Sequence, residues 1–122
     1  MKGWSGVVLS VRSDMKLAII GSRGITELGG EIPECSTIIS GGAKGVDQAA
    51  ERYAQENNIQ MVIHLPDYQR YGRGATHVRN KLIADSADFV LAFWDGKSKG
   101  TKSVIEYCKK QEKSYEVRLV TE

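Results

Sequence analysis

The sequence predicts an α/β fold in which a five-stranded parallel sheet is covered by helices on both faces, as a three-layer sandwich. Two observations carry this. Short apolar runs of strand length alternate with amphipathic segments of helical period from residue 15 to residue 120, and right-handed crossovers that return each strand parallel to the last place helices on both faces. Three of the runs also lead directly into glycine-bearing turns, which in such a sheet all gather at the carboxyl edge, where open α/β sheets bind their ligands.

The first run, Leu17 to Ile20, ends in Gly21-Ser22-Arg23-Gly24, and the stretch from Gly24 to Pro33 has room for at most a turn or two of helix. The second, Thr37 to Ile39, leads into Ser40-Gly41-Gly42-Ala43-Lys44-Gly45-Val46-Asp47. There a helix begins whose Val46, Ala49, Ala50, Tyr53 and Ala54 repeat at i, i+3, i+4, i+7, i+8, with Asp47, Glu51, Arg52 and Gln55 elsewhere on its surface. The third run is Met61 to Leu65. After it comes the longest polar segment, read as a loop, in which Tyr68, Tyr71 and Arg73 either stack on a base or pack at the surface.

A helix from about Thr76 to Ser86 follows, with Val78, Leu82 and Ile83 on its apolar side. The fourth run, Phe89 to Phe93, passes through Trp94 into Asp95-Gly96-Lys97-Ser98-Lys99-Gly100-Thr101. The last helix turns Thr101, Val104, Ile105 and Cys108 inward, and Lys109, Lys110 and Lys113 complement the negative charge of its carboxyl end. A weaker fifth run, Val117 to Val120, closes the pattern.

At 122 residues the chain fits one domain, assigned to 15–122, and needs no metal or disulfide to complete its core. Residues 1–14 read as an extension, with Val7, Val8 and Leu9 a candidate edge strand, and they lack the apolar region and cleavage site of a signal peptide. No apolar run approaches the roughly 18 residues of a membrane span, so a cytoplasmic protein is expected. A net charge of only +2 gives a weak overall field, so an anion site has to come from local geometry, and nucleic acid is not implied. Cys35 and Cys108 have neither CxxC spacing nor a nearby histidine and read as reduced structural thiols. His64 and His77 have no second ligand at metal spacing, and no metal is expected.

The chemistry therefore rests on the turns. Glycine allows positive φ and close approach of a ligand, and the free N–H groups of a following helix offer donors to an anion. Ser22, Ser40, Ser98 and Thr101 add hydroxyls, and Arg23, Lys97 and Lys99 add cations suited to phosphate or carboxylate. Neither GxGxxG nor GxxxxGK[ST] occurs, which disfavours ordinary dinucleotide dehydrogenases and P-loop ATPases.

Gly21-Ser22-Arg23, the block Ser40 to Asp47, Tyr71-Gly72-Arg73-Gly74-Ala75 with Arg79-Asn80, and Ser98-Lys99-Gly100-Thr101, in this order, resemble the SLOG superfamily, in particular its small stand-alone branch related to YspA and YpsA. The resemblance covers residues 16–120. It implies a Rossmann-like sheet of order 3-2-1-4-5, with the switch point between the strands ending at Gly21 and Asp95. It also implies a ligand of nucleotide or ribose-phosphate type, ADP-ribose included, and, by analogy with members that pair through helices, a homodimer.

Superfamily members differ in function, as ligand sensors, single-stranded DNA handlers of the DprA kind, and "lonely guy" phosphoribohydrolases. The last are similar here at His77-Val78-Arg79 and at Gly100-Thr101, but their glutamate three residues after the threonine is Val104 in this chain, and Glu106 points about 200° around the helix. The expectation is thus a sensor or carrier, with hydrolysis of an N-glycosidic bond as the alternative and Asp47 or Asp95 as substitute acids. Lys97, Lys99 and Lys102 beside the last turn are the basis of a DNA-binding reading, which few aromatics and the small net charge make weaker. The expected ligand residues are Gly21, Ser22, Arg23, Gly41, Gly42, Gly45, Ser98, Gly100 and Thr101 for phosphate, with Asp47, Arg79 and Asp95 on the ribose side and Ser40 and Ala43 among the ligand-binding residues of the turn after the second run. Asp47 doubles as an orienter of its own turn, and Arg79 is either a bidentate phosphate clamp or a surface residue.

Overall fold

Continuous apolar runs without polar alternation are the mark of strands buried on both faces, and the two longest, Leu17 to Ile20 and Val90 to Phe93, lie side by side at the centre of the sheet. The computed structural model describes residues 14–120, so the expected extension and its Val7–Leu9 strand lie outside the described residues. Five strands, β1 (Lys16–Gly21), β2 (Thr37–Ser40), β3 (Gln60–Ile63), β4 (Phe89–Trp94) and β5 (Tyr115–Leu119), form one parallel sheet in the order β3-β2-β1-β4-β5. The helices are α1 (Val46–Glu56), a single turn α2 (Tyr68–Tyr71), α3 (Ala75–Ser86) and α4 (Lys99–Lys110).

The pleat sorts the core into two layers. Leu17, Ile19, Ile38, Leu91 and Phe93 face Val46, Ala50 and Ala54 of α1. Ala18, Ile20, Ile39, Val90 and Ala92 face Ile83 and Ala84 of α3 and Val104, Ile105 and Cys108 of α4. Gly21 pairs with Phe93 across β1 and β4. Beyond that pair the chain after β1 joins the α1 layer, whereas the chain after β4 becomes α4 on the opposite face, and this divergence opens a crevice.

Residues 22–36 hold no helix. They run in bends over the α1-side layer, with Ile25 buried and Leu28, Ile32 and Cys35 packed against it, in place of a helix over β4. Arg118 of β5 fastens this segment: Nη1 donates to the Gly29 carbonyl at 2.8 Å, Nη2 to the Glu31 carbonyl at 2.6 Å, and Nε to Glu116 at 2.8 Å. The guanidinium also sits 5.6 Å from the Phe93 ring centroid.

Three details differ from the sequence pattern. β3 stops at Ile63 and Leu65 is 71% exposed, because the chain turns away through Pro66 to Asp67, whose carboxylate caps α2 by accepting the Arg70 N–H at 3.1 Å. The expected loop therefore contains a helical turn. On α3 the buried residues are Ala75, Ile83 and Ala84, while Leu82 is 50% exposed; two alanines let the helix lie close to its neighbours. Both cysteines are free, and burial pushes both thiols up, which suits packing better than reactivity. No helix of the described residues is long and apolar enough to cross a membrane.

Candidate functional site

The end of β1 is locked to the end of β4. A Cβ on Gly21 would stand 2.5 Å from the Phe93 carbonyl and 2.5 Å from Val46 Cγ2, so that position is glycine because backbone and helix meet there. Buried Ser22 donates its N–H to the Phe93 carbonyl at 3.1 Å, and its Oγ accepts the Asp95 N–H at 3.2 Å.

The β2 turn is held from within and from α3. Asp47 Oδ2 accepts the Ala43 N–H at 2.9 Å, and the Gly41 carbonyl accepts Arg79 Nη1 at 2.7 Å. Arg79 Nε donates to Asn80 Oδ1 at 2.8 Å. Among the described residues Arg79 forms no ion pair and its Nη2 has no hydrogen-bond acceptor. α1 begins at Gly45 with no side-chain cap, and Ser40 Oγ is buried without a hydrogen-bond partner among the described residues.

The β4 turn is the most constrained of the three. Asp95 Oδ1 accepts the N–H groups of Lys97 and Ser98, each at 2.8 Å, Trp94 Nε1 donates to the Ser98 carbonyl at 3.0 Å, and Ser98 Oγ caps α4 by accepting the Thr101 N–H at 3.4 Å. The Ser98 and Lys97 N–H groups hold the Asp95 carboxyl below the usual carboxylate range. A depressed carboxyl stabilises the fold above its unfolded value, near pH 3.9, and that contribution is lost as pH falls through the folded value. Asp95→Asn is therefore expected to be less stable than wild type at neutral pH, with the gap closing as pH falls below the ordinary carboxylate value and through the lower folded one. Urea midpoints taken across that range check it; a gap that stays constant would mean the charge on Asp95 plays no part.

Together the turns and α3 enclose a cleft of about 410 Å³. Nine of the fourteen expected ligand residues line it: Gly21, Arg23, Gly41, Ala43, Asp47, Arg79, Ser98, Gly100 and Thr101. Ser22, Ser40, Gly42 and Gly45 do not line it; Ser22 and Gly45 shape the turns behind it. Asp95 faces a different hollow, with Gly24, Glu27 and Lys97. Thr76, His77, Asn80 and Lys99 also line the cleft and are not among those fourteen, although Lys99 is one of the cations expected at the β4 turn. For α3 the signal was available, since Thr76, Arg79, Asn80 and Ile83 share one face at helical spacing. Val104 is buried in the cleft wall, and Glu106 is exposed and outside it. Trp94 is tied to its own turn and packs against the core. Tyr68 and Tyr71 are exposed away from the cleft.

A parallel sheet of order 3-2-1-4-5 with glycine turns converging at its switch point is a Rossmann-like α/β domain. Residues 23–71 match the YspA, cpYpsA-related SLOG family, which bears out the resemblance read from the motifs. The Gene 61 protein of Mycobacterium phage D29 is 34% identical over 79 residues, covering 60% of this chain and 63% of that protein; the chain thus spans less than two thirds of that relative's length. No solved structure matches the chain significantly.

Proposed function

We propose that the cleft binds a nucleotide or a related ribose phosphate, as a sensor or carrier. The observation that carries this reading is the charge of the cleft wall. Arg23, Arg79 and Lys99 face one carboxylate, Asp47, and Arg79 is anchored through a carbonyl rather than a carboxylate, which leaves its charge for an anion.

The phosphate sits at the amino end of α4, over Lys99 and Gly100. The helix end contributes on the order of 0.3 to 2 kcal/mol there, and charge-assisted hydrogen bonds from the cations add the rest. Asp47, with one oxygen held by Ala43, presents the other to ribose hydroxyls. Asp95 belongs to the turn rather than to the ligand, because it lines the neighbouring hollow and not the cleft, and its Oδ1 accepts from Lys97 and Ser98.

A thermal-shift screen against nucleoside mono-, di- and triphosphates, ADP-ribose and a short single-stranded oligonucleotide tests the proposal. A nucleotide present at a hundred times its dissociation constant is expected to add about 2.7 kcal/mol of stability, with the ligand recovered intact by chromatography. Free base in the chromatogram would replace the sensor reading with the phosphoribohydrolase one. No shift with any nucleotide would refute the proposal.

A further inference from the structure

The cleft does not end at the glycine turns. A groove of about 230 Å³ runs on from it between α3 and α4, and His77, Asn80 and Val104 line both. Along α4 the groove passes Ser103, Glu106 and Tyr107. Val104 and the Tyr107 ring give it an apolar wall, and Tyr107 is fixed because its hydroxyl donates to Asp85 Oδ1 at 2.7 Å. The ammonium of Lys81 lies over the ring, 5.8 Å from its centroid, a flexible group that a flat ligand displaces. Among the described residues, Asn80 spends its Oδ1 on Arg79 and keeps its Nδ2 donors free, and no hydrogen bond or ion pair engages the Glu106 carboxylate. A flat apolar wall with a donor and an acceptor at its edges suits a heteroaromatic ring with polar edges.

We infer that the α3–α4 groove is the nucleobase subsite and that Tyr107 is its stacking platform, with Asn80 and Glu106 reading the base edge. This rests on the proposed phosphate position at the amino end of α4. Thr101 and Tyr107 are six residues apart on that helix, about 9 Å along its axis, a gap that a ribose spans. Valine at 104, where a longer side chain would stand between cleft and groove, keeps the passage open.

Chemical-shift titrations of the full chain with ribose 5-phosphate and with AMP test this. Wild type is expected to bind AMP about tenfold or more tighter than ribose 5-phosphate, the usual worth of one base stacked on an aromatic ring. Tyr107→Ala should remove that advantage and leave ribose 5-phosphate affinity unchanged, while Tyr107→Phe keeps it. Because Tyr107 also packs against the core, Ser103→Trp, which fills the groove from its half-buried wall, serves as the second variant and should give the same selective loss. Equal affinities for the two probes in wild type, or variants that weaken both alike, would overturn the groove assignment and leave the cleft standing. Failure of both probes to bind wild type would overturn the cleft as well.

Discussion

Replacing Gly45 by valine is expected to destabilise the domain by about 3 kcal/mol or more. Gly45 precedes α1 at φ 79°, ψ −121°, a conformation that side chains of L-residues rarely adopt. The same residue packs against the β1 turn: an added Cβ would fall 2.6 Å from the Arg23 carbonyl carbon and 2.8 Å from its Cα. These are backbone atoms whose position follows from the bonds of Ser22 to Phe93 and Asp95, so neither side can yield without loss elsewhere. Because the first added carbon already collides, Gly45→Ala should show most of the effect. For a domain of this size the midpoint of thermal unfolding would fall by roughly 10 °C or more. A midpoint within a degree or two of wild type would mean that the β1 and β2 turns do not touch.

That contact also marks where sequence reading reaches its limit. The layers were legible because burial on both faces leaves a continuous apolar run, as in Leu17 to Ile20 and Val90 to Phe93, and because α1 and α4 repeat their apolar residues at the helical period. α3 was misread because its buried face is largely alanine, whose weak apolar signal was outweighed by Val78 and by an exposed Leu82. Leu65 misled in the same way at the end of β3. The glycine turns were visible as a set, yet glycine in a sequence does not say whether it makes room for a ligand or for another part of the chain. Gly21 and Gly45 turn out to make room for Phe93, Val46 and Arg23, whereas Gly100 has open space beside it. The clasp of Arg118 on Gly29 and Glu31 spans 89 and 87 residues, and no local pattern announces a contact of that range.

The distinction sets up the largest expected effect on binding. Gly100→Val should abolish nucleotide binding, measured by the same thermal-shift screen, while the unliganded domain melts at or slightly above the wild-type temperature. Gly100 lies in the first turn of α4, where a Cβ would meet no other atom within 4 Å. The added side chain therefore strains nothing, and any residue other than proline is favoured over glycine within a helix by up to about 1 kcal/mol. What the isopropyl group occupies is the approach to the uncapped N–H groups at the head of α4, where Ser98 already serves Thr101 and leaves those of Lys99 and Gly100 for an anion. Gly24 provides the control, since it too has open space around it but lies in the hollow beside Asp95; Gly24→Ala should leave affinity unchanged. Loss of binding in both variants would point to a general effect on the β1–β4 edge, and loss in Gly24→Ala alone would move the ligand to the other side of that edge. Undiminished binding in Gly100→Val would take the phosphate away from α4, and the base with it.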